Sequence, residues 1–295
     1  MTAALKEHWP EYLMEMWGLG TFMVSACVFG VLFYHPASLL QFGSRTVSDL
    51  LMGSVMGATA IGIIQSPFGK RSGAHINPAV TLTFLRLGKI RSSDAAGYIA
   101  AQFAGATAGV LVSWIFLGSL LEDSAVNFVV TVPGTSGPLA AFVAEFAISF
   151  ALMSMVLVTT NAARLAWTTP YLAGLFVAGF IVFEGRYSGM SMNPARTFGS
   201  AASAGVWTEA WLYFTAPPLA MLTAAQVYIA SKGLSSVMCA KFQHNNRHRC
   251  IFCGKPANDG HKEPAPGTGS PVRAHGVVNA VEFPAAEPGE GISGT

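Results

Sequence analysis

The sequence predicts an all-α membrane protein built from six transmembrane helices and two re-entrant half-helices in an inverted repeat. Three observations predict it. Hydrophobic residues make up 52% of the 295-residue chain and charged residues only 11%, less than half of the ~25% that an ordinary soluble domain carries. Six apolar stretches approach the ~20 residues that a helix needs to cross the hydrocarbon. A pattern ending in Asn-Pro-Ala recurs after 116 residues, preceded each time by two of those stretches. With 17 Lys+Arg against 15 Asp+Glu there is no basic excess to meet phosphates, so no nucleic-acid partner is expected. Four cysteines make no disulfide framework.

At the N-terminus, Lys6 and Glu7 precede a long apolar stretch already holding Glu11 and Glu15, which is no signal-peptide pattern. The spans are expected at 11–34, 47–66, 94–117, 138–160, 168–185 and 208–231. Two further apolar segments, 77–86 and 193–203, open with Asn-Pro and are too short to cross. Lys6, Lys70, Arg71, Arg86, Lys89, Arg91, Arg164 and Lys232 fall on the side of both termini, which the positive-inside bias makes cytoplasmic. Gly53-x3-Gly57 and Gly105-x3-Gly109 read as close helix packing in lipid.

The repeat pairs Ser72-Gly73-Ala74-His75-Ile76-Asn77-Pro78-Ala79 with Ser188-Gly189-Met190-Ser191-Met192-Asn193-Pro194-Ala195. Three spans per copy is an odd number, so the second copy must be inverted, and a pathway is expected at the interface near the midplane. Asparagine is a strong N-cap and proline is at home at the first helical position. Two short helices therefore enter from opposite faces and bring two N-termini together, each worth about half a positive elementary charge. Cations are repelled there, while the Asn77 and Asn193 amides can still donate to a neutral oxygen. That chemistry suits a pore for small uncharged molecules.

On these two motifs the chain resembles the aquaporin, or major intrinsic protein, family over nearly all of residues 8–231. The resemblance implies an aquaporin-like channel domain at 1–235, a pore in each subunit and assembly as a homotetramer in the plasma membrane. It also implies a passive function: water and other small neutral solutes as the permeants, no catalysis and no cofactor. Asn77, Pro78, Ala79, Asn193, Pro194 and Ala195 would be the pore motifs. Arg196, directly after the second, would be the filter arginine, in keeping with the cost of a charge at membrane depth. Glu15 and Glu145 match glutamates that brace the re-entrant loops.

The other filter positions depart from the water-channel pattern. They fall on Met56, where an aromatic is usual, on Ile181, where strict water channels carry histidine, and on Met190. A less polar, wider constriction follows, lined by flexible methionines. Thr197, Ala201 and Tyr213-Phe214 instead match the water side of the family. Water with some other neutral solute is the favoured permeant. A facilitator mainly for glycerol, ammonia, hydrogen peroxide or a metalloid hydroxide, or a non-conducting member used for adhesion or sensing, are the alternatives. His75 stands at the cytoplasmic mouth as a loop hydrogen-bonder, with a pH-responsive role as the alternative.

Residues 236–295 are expected to form a polar, mostly disordered cytoplasmic tail. Of the 32 charged residues 11 lie at 240–295, together with 14 Gly and Pro. His244, His248, Cys250 and Cys253 have the residue types of a zinc site, with Cys239 and His261 to spare, but the histidine spacing is compressed. Reduced thiols in a basic tail, with no metal, is the reading carried forward, with Arg247 and Arg249 free to touch lipid headgroups.

Overall fold

A computed structural model describes residues 3–40 and 43–257. Among these, eight helices exceed seven residues: α1 (Ala3–Tyr34), α2 (Arg45–Gln65), α3 (Pro78–Arg86), α4 (Ser92–Leu117), α5 (Gly137–Thr160), α6 (Thr169–Phe183), α7 (Pro194–Ala204) and α8 (Trp211–Lys232). The six long helices lie where the apolar stretches predict spans, and α3 and α7 are the two half-helices. Five helical segments of the described residues are long and apolar enough to cross a membrane. The sixth span, α8, is diluted by Pro217, Pro218 and Gln226.

The two copies build the same object twice. α1 packs along α4 and α5 along α8, while α2 of the first copy packs against α6 of the second. Small residues make the closest of these contacts possible. A Cβ on Gly105 would stand 2.2 Å from the Met16 carbonyl oxygen in α1, and one on Gly57 would stand 2.5 Å from that of Gly174 in α6. Backbones at that distance gain dispersion contacts that lipid tails would otherwise supply. Each half-helix packs chiefly on the third span of the other copy, α7 on α4 and α3 on α8. The halves are therefore interlocked.

Both half-helices begin as their residues dictate. Asn77 is extended (φ −157°, ψ 121°) and its side chain accepts the Ala79 amide, with Pro78 at the first helical position. Asn193 is extended (φ −146°, ψ 106°) and accepts the amides of Ala195 and Arg196, with Pro194 following. A short helical turn ends before each loop, at Pro67–Ser72 and Gly185–Ser188, on a left-handed glycine: Gly73 at φ 103° and Gly189 at φ 76°. Ala74 and Ile76 in one loop, and Met190 and Met192 in the other, are also left-handed. Such residues cost roughly 1–2 kcal/mol each, so the surrounding contacts must hold them.

The expected boundary at 235 is not where the folded part ends. Residues 237–257 continue past α8 and pack onto the helical part, with Val237, Ala240, Phe242 and Cys250 buried. The Met238 amide donates to Asn161 Oδ1 (2.7 Å), and the Phe242 amide donates to the Gly73 carbonyl (3.2 Å). This stretch needs no core of its own because Val237, Ala240 and Phe242 join the cluster that holds Ala74, Phe84 and Tyr98. Arg249 does not face lipid headgroups; it donates twice to Glu11, at 3.0 Å each. The rest of the predicted tail, from 258, lies outside the described residues.

Candidate functional site

The tips of the two re-entrant loops meet and exchange hydrogen bonds. Asn77 Nδ2 donates to the Met192 carbonyl (2.7 Å) and Asn193 Nδ2 donates to the Ile76 carbonyl (2.8 Å). Each asparagine thus uses its oxygen to cap its own half-helix and part of its amide to hold the opposite loop. A primary amide has two N–H donors, so each keeps one beyond this crossed pair.

A buried glutamate holds each loop from behind. Glu15 accepts from Ser72 Oγ (2.7 Å), the amides of His75 (3.1 Å) and Ile76 (2.6 Å), and Gln102 Nε2 (2.9 Å). Glu145 accepts from Ser188 Oγ (2.7 Å) and the amides of Ser191 (2.6 Å) and Met192 (2.7 Å). A carboxylate is an acceptor only, with room for about four donors. It satisfies the loop amides that no helix or strand can. Two tyrosines complete the symmetry, Tyr98 donating to the Ser72 carbonyl and Tyr213 to that of Ser188. Within the loops, His75 faces Thr81 (3.1 Å) in one copy and Ser191 faces Thr197 (2.6 Å) in the other, where Thr131 also reaches Thr197 (2.9 Å).

A cavity of about 520 Å³ runs past these tips. Asn77 and Asn193 line it, as do all four candidate filter residues: Met56, Ile181, Met190 and Arg196. Met56 and Ile181 pack in one apolar cluster with Phe22 and Val177. Arg196 is buried, and its Nη1 donates to the Val129 carbonyl (2.7 Å). That carbonyl is aimed by a run of three left-handed residues, Asn127, Phe128 and Val129 (φ 42°, 52° and 50°). Nothing in those residue types announces the turn, so the sequence offers no signal for this partner.

His75 and Phe242 also line the cavity. The imidazole is sandwiched between Phe84 (centroids 5.2 Å apart, 18° between planes) and Phe252 (5.5 Å, 3°). Its Nε2 lies 2.7 Å from the Ala240 carbonyl. A carbonyl can only accept, so Nε2 carries the proton. Burial pushes the His75 pKa below its ordinary value, against the opposing pull of Glu15 and of the Ala240 carbonyl.

The tail residues proposed for zinc are regrouped by the structure. The ligand atoms of Cys239, His244, Cys250 and Cys253 all lie within 4.8 Å of one another. His248 is not in this group, and Cys239, from the preceding segment, takes its place. His261 lies outside the described residues.

The major intrinsic protein family pattern matches residues 5–228. Aquaporin TIP4-4 of Zea mays is 36% identical over 197 residues, which is 65% of this chain and 77% of that protein. Aquaporin NIP3-1 of Arabidopsis thaliana is 36% identical over 169 residues, covering 54% of this chain and 50% of that one. The X-ray structure of the aquaglyceroporin from Plasmodium falciparum matches with a TM-score of 0.63 at 19% identity, over 75% of this chain and 95% of that chain, a likeness of fold.

Proposed function

The chain belongs to the major intrinsic protein family of passive membrane channels, and from that premise we propose that its pore conducts water together with another small uncharged solute and excludes ions and protons. The observation that carries this reading is the crossed pair of Asn77 and Asn193 on the wall of the cavity. Two half-helix N-termini point their partial positive charge at one place, which disfavours a cation. The remaining amide hydrogens offer donors to a neutral oxygen. A water passing there donates onward on either side, and its orientation is fixed, so a proton has no continuous chain to hop along.

In this proposal Arg196 and the apolar Met56, Ile181 and Met190 make the filter. Arg196 adds a second cation barrier and a donor. The three apolar side chains bind no permeant by hydrogen bonds and admit a solute larger than water. This favours broader selectivity over a strict water pore, and it keeps a facilitator of a non-water solute as the second reading. We place both termini on the cytoplasmic side of the plasma membrane, with Lys70, Arg71, Arg86, Lys89 and Arg91 on the loops of that face, and we read the assembly as a homotetramer by likeness to the family. The test is stopped-flow light scattering on proteoliposomes, first in an impermeant sugar and then in glycerol. Fast shrinkage with re-swelling supports the reading. Fast shrinkage alone makes it a water channel. Rates equal to empty liposomes refute conduction.

A further inference from the structure

Three cysteines and a histidine converge just where the chain crosses the cytoplasmic mouth. We propose that Cys239, His244, Cys250 and Cys253 bind one zinc ion, and that this ion locks residues 237–255 as a stopper over the mouth of the pore. The proposal rests on the channel reading for its consequence but not for its metal chemistry.

The donor set is that of a closed structural zinc site, three sulfurs and one nitrogen. Zn–S and Zn–N bonds of roughly 2.3 and 2.0–2.1 Å put tetrahedral ligand atoms about 3.5–3.8 Å apart. Cys239 Sγ and Cys250 Sγ stand 3.4 Å apart, and His244 Nε2 and Cys253 Sγ 3.1 Å apart. An ion enters by spreading each pair a few tenths of an ångström. The cysteines are all free, so no disulfide competes. The turn between Cys250 and Cys253 is already shaped as a knuckle: the Gly254 amide donates to the Cys250 carbonyl (3.0 Å), the Cys250 amide donates to the Lys255 carbonyl (2.8 Å), and Gly254 is left-handed at φ 74°.

The same segment occupies the mouth. Phe242 lines the pore cavity, Phe252 stacks on His75, and the Ala240 carbonyl accepts the hydrogen bond from His75 Nε2. Lys241 is 1% exposed and donates to the carbonyls of Lys70 (3.0 Å) and Arg249 (2.8 Å). Away from the surface it packs on, a segment of 19 residues has no core of its own to offset the entropy of ordering it. A metal that closes the loop from Cys239 to Cys253 removes most of its freedom when undocked, as it does in small zinc-bound domains.

The full-length chain, expressed with zinc supplied, decides it by elemental analysis, trypsin and water permeability. One zinc per chain is expected, lost in Cys250→Ser/Cys253→Ser and retained in His248→Ala. Zinc-loaded protein should resist cleavage after Lys241 and Arg249, and chelation should expose both bonds. In proteoliposomes, chelation or the double serine variant should raise water permeability several-fold. Absent zinc, or zinc that survives the serine changes, overturns the site. Zinc with the same permeability before and after stripping, in a protein that conducts, overturns the stopper. If trypsin protection follows the metal but no form conducts, the metal-locked segment stands and the channel reading falls.

Discussion

Asn193 caps its half-helix with two amide hydrogen bonds, from Ala195 and Arg196, whereas Asn77 caps its own with one, from Ala79. The two asparagines are otherwise equivalent, each donating across to the other loop. The asymmetry ranks them. Loss of a side-chain cap costs about 1 kcal/mol, and the orphaned Ile76 or Met192 carbonyl adds about 1–3 kcal/mol. Asn193→Ala should lower the thermal midpoint more than Asn77→Ala, and both should cut water permeability. Equal midpoints would mean that the cap geometry carries no weight.

The filter reading makes a directional claim. Ile181→His with Met190→Cys narrows the constriction and adds a hydrogen-bonding ring beside Arg196. Permeation of glycerol-sized solutes should fall several-fold while water flux persists. Stopped-flow re-swelling with each solute measures this, and unchanged non-water flux removes Ile181 and Met190 from the filter.

Glu15→Gln and Glu145→Gln test the braces. Glutamine turns an NH2 toward loop amides that already donate, leaving buried donors facing one another at about 1–3 kcal/mol each. Both variants should unfold at lower temperature in detergent. Wild-type midpoints for both glutamine variants would show that the loops are held by other contacts.

The His75 imidazole, lowered by burial, remains neutral while the pH falls from 8 to 6.5. A group with a depressed pKa stabilises its buried state above its free value, and that contribution is lost as the pH falls toward the buried one. Glu15, Thr81, Tyr98 and Cys250 face it from the elements around it, and the first and last pull its pKa upward without reversing the direction. Water permeability should therefore be flat over that range, with any change on the acid side. A step centred between pH 6.5 and 7.5 that disappears in His75→Phe would show an imidazole titrating freely.

Helix contacts supply the last test. Gly105→Val drives a side chain into the Met16 carbonyl, and overpacking of this kind costs about 1–3 kcal/mol or more. Gly179 has open space around its would-be Cβ, so Gly179→Ala should be neutral or slightly stabilising. Thermal midpoints of the two variants measure the difference, and similar values would argue that α1 and α4 do not approach as described.

Much of this was written in the chain's own periodicities. Span positions follow from apolar length, because lipid demands it. The half-helices follow from Asn-Pro, because cap and proline chemistry is local. The pairing of the loops follows from the repeat. What escaped is what depends on contacts distant in sequence. Tyr98 and Tyr213 reach loop carbonyls 26 and 25 residues away, and the Val129 carbonyl reaches Arg196 across 67. The packing of residues 237–252 is hidden in the sequence because composition averaged over 236–295 submerges a short apolar set (Val237, Ala240, Phe242 and Phe252) in a polar background. Its partner, His75, lies 165 residues before Ala240, and no window on the sequence spans that distance.

Glu11 is fully buried and shared: Arg71, on the loop at the mouth, donates to it at 2.9 Å, and Arg249, on the C-terminal segment, donates at 3.0 Å. A buried carboxylate stripped of its partner costs about 3–5 kcal/mol, which would weld a lone arginine in place. The two cations come from different parts of the chain, Arg71 from the loop region and Arg249 from the C-terminal segment. Under the proposed zinc lock the carboxylate would serve as a latch plate rather than a rivet: with Arg249 released, Arg71 would still neutralise Glu11, so undocking would strand no charge.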